Sequence, residues 1–395
     1  MTRLWDRGEP LDRLVLDYTS GDDHTLDDRL VAYDVRASLA HAEMLHSCGL
    51  LGAEDLAAIE RGLTEIAASH ARGEWRVALE EEDCHTAIEN RLTAMAGDAG
   101  ARIHLGRSRN DQVLAALRLW LKDALESLAG EAEGVAAALD ALAGRYGEAV
   151  LPGYTHMQRA MPSTAGLWLG GFAAELRDDA VGLRAARRRA DKNPLGSAAG
   201  YGVPALTIDR GHTTRALGFA ETQEPVTAVQ LSRGKAEAGA LFEAALLAGD
   251  LGRLASDLCL FATAEFGFVR LSAALTTGSS MLPNKRNPDL FELVRGRCAE
   301  AVAALAEVLM VTAKLPSGYH RDLQLIKKAL FRGLDSVAAT ARLFIHVIPA
   351  VELDAERMRQ AIDPSLFMAE RAYRLVQEQG VPFREAYRRV RQAEE

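Results

Sequence analysis

One segment of the chain gathers hydroxyl, amide and cationic side chains within a few residues. It reads Thr-Thr-Gly-Ser-Ser-Met-Leu-Pro-Asn-Lys-Arg-Asn-Pro-Asp from Thr276 to Asp289. Gly278 lets the backbone adopt conformations that a side chain would forbid, and the two prolines interrupt any helix. We therefore expect a mobile loop that closes over an anion. The side chains that this loop would bring to the ligand are Ser279, Ser280, Lys285 and Asn287.

A second polar segment carries two arginines, a serine and an amide just before a long apolar stripe. It reads Ile103-His-Leu-Gly-Arg-Ser-Arg-Asn-Asp-Gln, with Arg109 and Asn110 at the expected start of a helix. Free backbone amides and the helix dipole add to the guanidinium donors there, so such an N-terminus can receive a carboxylate. The same residues also suit a helix cap with surface arginines. The pattern alone leaves both interpretations open.

A third segment, Gly153-Tyr-Thr-His-Met-Gln-Arg-Ala-Met-Pro, contains Thr155 and His156. A histidine titrates near neutrality and can exchange a proton with a leaving nitrogen, while a neighbouring hydroxyl can orient a substrate. A lone histidine beside apolar residues is commonly structural as well. A catalytic role for His156 is therefore supported only when it is considered together with the other segments.

A fourth segment, Leu315-Pro-Ser-Gly-Tyr-His-Arg-Asp-Leu-Gln-Leu-Ile-Lys, leads into another expected helix. Gln324 and Lys327 are three residues apart and would share a helix face. Tyr319 stands shortly before them. Taken alone, this pattern is more typical of a solvated helix face than of a binding site.

Long helices must position these segments. Between about residues 107 and 350, apolar residues recur at steps of three and four, as in Val113, Leu117 and Leu121. The helical stretches would be about 30 to 45 residues long, which exceeds 40 Å at about 1.5 Å per residue. Many are apolar all round and need neighbouring chains to cover them. We predict an all-α fold with an elongated central bundle at 107–354, smaller helical domains at 1–106 and 355–395, and an obligate oligomer.

Composition narrows the class of function. The net charge of -9 and the pI near 5.7 argue against binding to nucleic acid or to an anionic membrane. The N-terminus lacks the apolar core of a signal peptide, and no apolar run approaches the roughly 18 residues of a membrane span. The four cysteines are scattered without a CxxC pair, which favours a reduced compartment. We expect a cytoplasmic protein that acts on a small molecule.

Signatures of rival chemistries are missing from the sequence. It contains no GxxxxGK, no GxGxxG after a strand, no GxSxG and no HExxH, so nucleotide, serine-hydrolase and metalloprotease functions lack support. His85 follows Asp83 and Cys84, but adjacent residues rarely converge on one ion without further ligands. We therefore expect neither a metal nor a cofactor.

Taken together, the four segments resemble the fumarase and aspartase superfamily, and within it the argininosuccinate branch most closely. The superfamily's loop signature is Gly-Ser-Ser-x-Met-Pro-x-Lys-x-Asn. This chain has Gly-Ser-Ser-Met-Leu-Pro-Asn-Lys-Arg-Asn at 278–287, with Leu282 where methionine is usual. Leucine is apolar and similar in volume, so the match is little weakened. The segments 104–112 and 153–159 are similar to the argininosuccinate branch specifically, and the resemblance covers nearly the whole chain.

The resemblance implies a β-elimination that cleaves argininosuccinate into fumarate and arginine. It implies that Ser279 is the base that removes a proton from the succinyl methylene carbon. It also implies that His156 protonates the departing nitrogen and that Glu292 is the carboxylate partner of His156. A carbanion beside a carboxylate is stabilised by positive and hydrogen-bonding groups placed in advance. Lys285 and Asn287 match the family's residues for that task.

The resemblance also implies a set of substrate ligands and an assembly. The matching positions are Arg109, Asn110, Thr155 and Ser280 at the substrate carboxylates and Tyr319, Gln324 and Lys327 at the amino-acid end. In the superfamily, a homotetramer assembles each site from three chains. The resemblance therefore implies a homotetramer whose sites are shared between subunits.

The chain departs from the family pattern where the amine part of the substrate would be selected. Asp23 stands about where a serine is usual. Arg233 is kept, but Gly234 follows it where an aspartate is typical, and Leu325 and Ile326 replace acidic residues. Two alternatives follow: a fumarate-releasing lyase for a different N-substituted aspartate, and a structural, crystallin-like homologue. The retained elimination residues argue against the second alternative, because a structural role needs none of them.

Overall fold

The described part of the chain folds mainly into α-helices, as its apolar periodicity predicts. The computed structural model describes residues 12–393. In chain order the helices are α1 (Arg13–Ser20), α2 (Asp23–Asp27), α3 (Val31–Ser47), α4 (Ala53–Ala71), α5 (Cys84–Ala96), α6 (Asp98–Ala101), α7 (Arg109–Tyr146), α8 (Ala165–Ala190), α9 (Arg210–Ala216), α10 (Ala228–Leu231), α11 (Lys235–Phe261), α12 (Asp289–Arg297), α13 (Ala299–Thr312), α14 (Ile326–Val347), α15 (Ala355–Gln360), α16 (Met368–Gln379) and α17 (Phe383–Gln392). The prediction of an all-α fold is confirmed.

Short strands accompany the helices and form two-stranded sheets. The strands are β1 (Val150–Thr155), β2 (Gln158–Thr164), β3 (Lys192–Asn193), β4 (Glu221–Thr222), β5 (Val269–Arg270) and β6 (Glu352–Leu353). The pairs β1–β2 and β5–β6 are antiparallel, and β3–β4 is parallel. The β1–β2 hairpin carries the His156 segment. The sequence did not predict it, because no alternation of apolar and polar residues persists there.

The elements pack into two compact units. Unit 1 comprises the described residues up to Leu128 together with Gly182–Ala244 and Glu300–Asp335. Unit 2 comprises Ala129–Val181, Ala245–Ala299 and the described residues from Ser336 onward. The helices α7, α8, α11 and α14 each supply residues to both units. The three-domain division of the sequence stays a prediction.

The long helices are shorter than expected with one exception. α7 has 38 residues, whereas α8, α11 and α14 have 26, 27 and 22. These helices are shorter than predicted because the residues of the polar segments form a hairpin, loops and turns before the helices begin. Of the helices at 12–393, none has the length and apolarity that a membrane crossing requires.

Small and apolar residues build the core of each unit. In unit 1, a buried cluster brings α3 against α7 through small side chains and comprises Ala37, Ala40, Ala115, Leu119, Leu195, Leu217 and Phe219. In unit 2, α16 packs on α17 through Ala372, Ala386 and Val390. Alanine at these contacts lets the helix backbones approach closely.

Candidate active site

The segment 277–287 of unit 2, here called the serine loop, is closed at its base by backbone pairing. The amide of Thr277 donates to the carbonyl of Asn287 at 3.1 Å, and the amide of Asn287 donates back at 2.9 Å. Asn287 Nδ2 also donates to the carbonyl of Gly278 at 3.4 Å. These bonds hold the two ends of the loop together. The residues between them are half-buried or exposed, so they are accessible to a ligand.

Ser279 lies where two backbone amides of the serine loop converge. The amides of Met281 and Leu282 donate to Ser279 Oγ at 3.2 and 3.1 Å. Donors of this kind stabilise negative charge on oxygen and so favour an alkoxide over the neutral alcohol. A hydroxyl in an ordinary turn makes similar bonds. The arrangement therefore supplies part of what a serine base needs, and the rest must come from a nearby cation.

Lys285, Asn287 and Glu292 line one cavity of about 850 Å³ in unit 2. Lys285 is exposed, and so is Ser280 in the same loop. Glu292 forms an ion pair with Arg295 at 3.5 Å. The structure thus brings the predicted cation and amide to one cavity, while the pairing of Glu292 with His156 stays a prediction.

His156 occupies the turn of the β1–β2 hairpin. Thr155 pairs with Gln158, so His156 and Met157 form a two-residue turn, with φ of 54° and 60°. Tight hairpin turns favour positive φ, but the left-handed region costs an ordinary residue about 1–2 kcal/mol. Strain of this kind is common at functional sites. It presents the His156 ring at the exposed tip of the hairpin. The turn lacks the Asn-Gly signal that would have revealed it in the sequence.

Aromatic packing and an ion pair anchor this hairpin within unit 2. The Tyr154 ring of β1 lies 5.5 Å from the Phe266 ring, edge to face, and Phe266 lies 5.6 Å from Phe261. At the other strand, Arg159 Nη1 lies 3.2 Å from Asp363 Oδ2. These contacts hold the strands, so the position of Thr155 and His156 depends on packing beyond the hairpin.

Lys327 is buried between two carboxylates of α2 in unit 1. Its Nζ lies 2.6 Å from Asp27 Oδ1 and 3.1 Å from Asp23 Oδ1, and the residue is 3% exposed. Asp23 and Asp27 are four residues apart, which puts them on one helix face. Burial opposes the charge of Lys327, but Asp27 and Asp23 raise the pKa of Lys327 above its ordinary value. Lys327 is therefore a permanent cation.

The pKa of Asp23 is shifted by its surroundings in this cluster. Burial raises the pKa of Asp23 above its ordinary value, and the charge of Asp27 adds to the rise, while Lys327 opposes it. One cation between two carboxylates leaves one negative charge in excess, so a proton on Asp23 relieves the repulsion. The protonation of Asp23 is thus governed by its burial and by the charges of Lys327 and Asp27.

At the start of α7, different residues cap the helix and line a cavity. Ser108 Oγ accepts from the amide of Asn110 at 3.3 Å, and Asp111 accepts from the amide of Ser108 at 3.0 Å. Ser108 and Asp111 therefore cap the helix, as a reciprocal pair. The side chains of Arg109 and Asn110 line a cavity instead. Capping is therefore supplied by Ser108 and Asp111, and the role of Arg109 and Asn110 as ligands stays a prediction.

Arg109 is oriented by the carboxylate that caps α5. Asp83 accepts from the Thr86 amide at 2.8 Å and forms a close ion pair with the Arg109 guanidinium. Glu82 lies 3.5 Å from the same guanidinium. Burial opposes ionisation of Asp83, but Arg109 and its other partners lower the pKa of Asp83 below its ordinary value. The guanidinium is thereby held at the wall of the cavity.

A cavity of about 150 Å³ in unit 1, here called the amino-acid pocket, collects the residues expected at the amino-acid end. Its lining comprises Arg109, Asn110, Tyr319, Gln324 and Lys327 together with Asp23, Asp83, Val113, Arg233 and Arg321. Gln324 Nε2 donates to the carbonyl of Thr19 at 2.9 Å, which fixes its orientation. The solvated-face interpretation of the fourth segment is therefore not supported.

Two carboxylates of this pocket region escaped the sequence analysis. Asp27 was detectable from its spacing of four residues from Asp23 on one helix. Asp83 was noted only beside Cys84 and His85. Its capping of α5 was foreseeable, but its contact with Arg109 depends on the packing of separate segments.

Asp27, Cys84 and His85 form a buried group whose donor atoms lie within 4.8 Å of one another. Lys327 already places a cation on Asp27, and His85 Nδ1 lies 3.0 Å from Asp34 Oδ1. Burial raises the pKa of the Cys84 thiol well above its ordinary value, which disfavours the thiolate that a metal would bind. Ion pairing accounts for this cluster.

The predicted site residues fall into two groups. Unit 1 contains Arg109, Asn110, Tyr319, Gln324 and Lys327, which share the amino-acid pocket. Unit 2 contains Thr155, His156, Ser279, Ser280, Lys285, Asn287 and Glu292, on the hairpin, the serine loop and α12. The predicted cationic substrate ligands Arg109 and Lys327 thus lie in unit 1, and the residues predicted to carry out the elimination lie in unit 2.

Comparisons with known proteins place this arrangement in context. A family model described as Lyase matches residues 10–303. Argininosuccinate lyase of Sorangium cellulosum (strain So ce56) is 49% identical over 388 residues, which cover 98% of this chain and 90% of that protein. Argininosuccinate lyase of Stenotrophomonas maltophilia (strain R551-3) is 46% identical, with 98% and 89% covered. Among solved structures, EDDS lyase in complex with formate matches with a TM-score of 0.81 at 26% identity, covering 97% of this chain and 76% of that one.

Proposed function

The chain belongs to the argininosuccinate lyase family, and from that premise we propose that it cleaves argininosuccinate to fumarate and arginine by β-elimination. Similarity over nearly the whole chain supports the substrate. The observation that carries the chemistry is the serine loop, where Ser279 Oγ accepts hydrogen bonds from the amides of Met281 and Leu282. A serine acts as a base only when its alkoxide is stabilised, and these amides supply such stabilisation.

The elimination proceeds through a stabilised carbanion. Ser279, as the alkoxide, removes a proton from the succinyl methylene carbon, and the electron pair spreads into the adjacent carboxylate. Lys285 and Asn287 stabilise that charge. The electrons then form the carbon–carbon double bond of fumarate as the bond to the guanidinium nitrogen breaks. His156, held by Glu292, gives that nitrogen its proton, so arginine leaves in a stable form.

The site is shared between chains of a homotetramer. Two features support this: the predicted residues lie in two groups within one chain, and large apolar side chains on the long helices are exposed in a single chain. Examples of the exposed side chains are Leu167, Val181, Phe242, Leu246, Leu309 and Met310. Apolar surface of this kind marks protein–protein contacts. The cytoplasm is the proposed location, and the four free cysteines fit a reducing compartment.

A second candidate is a fumarate-releasing lyase for a different N-substituted aspartate. The structural likeness to EDDS lyase and the acid at position 23 favour it. An acid in place of a hydroxyl changes the charge offered to the amine part of a substrate, whereas the elimination residues are kept. The choice of substrate therefore depends on the amino-acid pocket.

Purified protein should release fumarate from argininosuccinate, because both the elimination residues and the amino-acid pocket are present. The measurement is the ultraviolet absorbance of fumarate over time, with arginine quantified in the same mixture and EDDS offered in parallel. Equal amounts of the two products are expected. Turnover of EDDS without turnover of argininosuccinate would establish the second candidate, and no turnover by the folded protein would reject both.

Replacing His156 with asparagine should lower kcat for argininosuccinate by roughly 10²- to 10⁴-fold, the usual contribution of a general acid. The fold should be unaffected, because the side chain is exposed and asparagine accepts a positive φ readily. Initial rates and thermal unfolding measure the two effects. Met157→Asn is the matched control, since it makes the same change at the other turn residue. Equal activity of the two variants would contradict a proton-transfer role for His156.

A further inference from the structure

A cavity of about 650 Å³ in unit 1, here called the basic cavity, contains none of the predicted site residues. It lies where the end of α8, strand β3, helix α10 and the start of α11 meet. Its charged lining residues, among those that the structure describes, are all cationic: Arg188, Arg189, Lys192 and Lys235. Like charges gathered at one cavity repel each other. The cluster therefore calls either for a structural reason or for a bound anion.

Helix stability explains only some of these cations. Arg188 and Arg189 lie in the last turn of α8, where positive side chains interact favourably with the helix dipole. Lys235 is the first residue of α11, and the dipole disfavours a cation at that end of a helix. Helix stability therefore does not account for Lys235, whereas an anion bound beside it would.

One ion pair offsets part of the charge of the basic cavity. Lys192 Nζ lies 2.6 Å from Glu221 Oε1. The hydrogen bond from Lys192 lowers the pKa of Glu221 below its ordinary value, and the charge of Arg188 contributes to the same shift. This pair is neutral as a whole. Three further cations of the lining, Arg188, Arg189 and Lys235, leave a surplus of positive charge at the cavity.

A buried arginine fixes the floor of the basic cavity. Arg118 Nη1 donates to Gln223 Oε1 at 2.6 Å, and its Nη2 donates to Ser232 Oγ at 2.7 Å. Both acceptors belong to lining residues. Burial lowers the pKa of Arg118 to about 10, while the charge of Glu237 opposes this shift. Because these bonds already order the floor, a ligand that binds there loses less free energy to the ordering of side chains.

The walls of the basic cavity belong to two packed helices. A Cβ at Gly239 of α11 would lie 3.4 Å from Arg189 Cδ, so the stem of Arg189 rests against α11. Such packing of the stem leaves the charged head of an arginine in contact with solvent. The cations of the walls come from α8 and from α11, with Lys235 on the latter. An anion in the basic cavity would therefore bridge the two helices.

We propose that the basic cavity binds a polyphosphate group, as in inorganic triphosphate or a nucleoside triphosphate. Adjacent phosphates carry several negative charges close together, which matches the surplus of arginine and lysine charge. The volume of about 650 Å³ lies in the range of about 300–1,000 Å³ that is usual for small-molecule sites, and it exceeds the size of a single phosphate. The net charge of -9 disfavours a long polyanion such as nucleic acid, which would meet negative surface elsewhere.

The test measures binding of inorganic triphosphate to the purified protein by isothermal titration without divalent cations. Saturating arginine and fumarate are present, so that they occupy the proposed active site. Triphosphate should bind at least roughly 10-fold more tightly than orthophosphate, because several charge-assisted contacts replace one. The double variant Arg189→Gln/Lys235→Gln should bind triphosphate roughly 10-fold more weakly or worse, since it removes one cation from each helix.

The double variant Arg215→Gln/Lys328→Gln is the matched control. It removes the same charge from two mostly exposed side chains of unit 1 that do not line the basic cavity. It should keep the wild-type affinity for triphosphate. Triphosphate should also raise the midpoint of thermal unfolding of the wild type and the control more than that of the cavity variant, because a ligand stabilises the state that binds it.

Absence of triphosphate binding by the wild type would overturn the proposal, and so would equal losses of affinity in the two double variants. Equal affinity for orthophosphate and triphosphate would overturn it as well. If the cavity variant does not fold, Arg188→Gln at an exposed side chain replaces it, and wild-type affinity in that variant would reject the site. ATP titrated in parallel distinguishes the sources. ATP binding at least as tight as triphosphate binding supports a nucleotide, and weaker ATP binding supports inorganic polyphosphate.

Discussion

Ser279→Ala is expected to lower kcat for fumarate release by roughly 10³-fold or more, because it removes the base and leaves the substrate-holding residues in place. The amides of Met281 and Leu282 that donate to Ser279 Oγ would have no acceptor in the variant, but they lie in an exposed loop where water replaces the hydroxyl. The free energy of unfolding should therefore change little. Initial rates with saturating argininosuccinate and denaturant unfolding measure the two quantities.

Ser272→Ala is the matched control for this change. Ser272 is exposed, lies in the same unit and precedes the serine loop. The control variant should keep wild-type kcat and KM. Fumarate release by Ser279→Ala at the rate of Ser272→Ala would show that another group removes the proton, and the assignment of the base would be wrong.

Lys327→Met should destabilise the protein by about 3–5 kcal/mol, the usual cost of removing one partner from a buried ion pair. Asp27 is fully buried and the Asp23 side chain is 13% exposed, and both would lose the cation that now lies 2.6 and 3.1 Å away. Denaturant unfolding without substrate, at one fixed protein concentration, measures the effect. A fixed concentration matters because the stability of an oligomer depends on it.

The neighbouring Lys328 provides the control for Lys327. Lys328 pairs with Asp22, but both side chains are more than half exposed. Exposed pairs contribute about 0–1 kcal/mol, so Lys328→Met should cost no more than that. Losses of similar size in the two variants would contradict a buried ion-pair cluster at Lys327.

The stability of the Lys327→Met variant should depend on pH, because Asp23 and Asp27 would repel each other without the lysine between them. Asp23 already has a raised pKa in the folded wild type, so the folded state holds its proton at pH values where the unfolded chain has released it. Stability from this group is therefore greatest at low pH and falls as pH rises from the ordinary carboxylate pKa up through the raised pKa of folded Asp23, about 7. Without Lys327 the pKa of Asp23 should rise further. The loss of unfolding free energy caused by Lys327→Met should thus be smaller at pH 5 than at pH 8. A larger loss at pH 5 would contradict this explanation.

The sequence indicated which reactive side chains the serine loop contains, but it did not indicate the shape of the surrounding structure. The run from Gly278 to Asn287 combines hydroxyl, lysine and amide in one short segment, so its chemistry is readable from residue types alone. The hairpin that presents His156 was not predicted. Its turn consists of a histidine and a methionine, neither of which favours positive φ, and the packing of Tyr154 on Phe266 that supports it joins residues far apart in the chain.

The sequence by itself determined that the fold is all-α. It also determined where the four polar segments lie and which reactive side chains they carry, because apolar periodicity and side-chain chemistry are properties of nearby residues. Only the tertiary structure decided that Asp23 and Asp27 enclose Lys327, about 300 positions away in the chain, and that Arg233 lines the same pocket as Tyr319, with its Cζ 5.9 Å from the centroid of that ring. Burial and charge pairing arise when distant segments pack together. The raised pKa of Asp23 and the burial of Arg233 therefore cannot be read from any short stretch of residues.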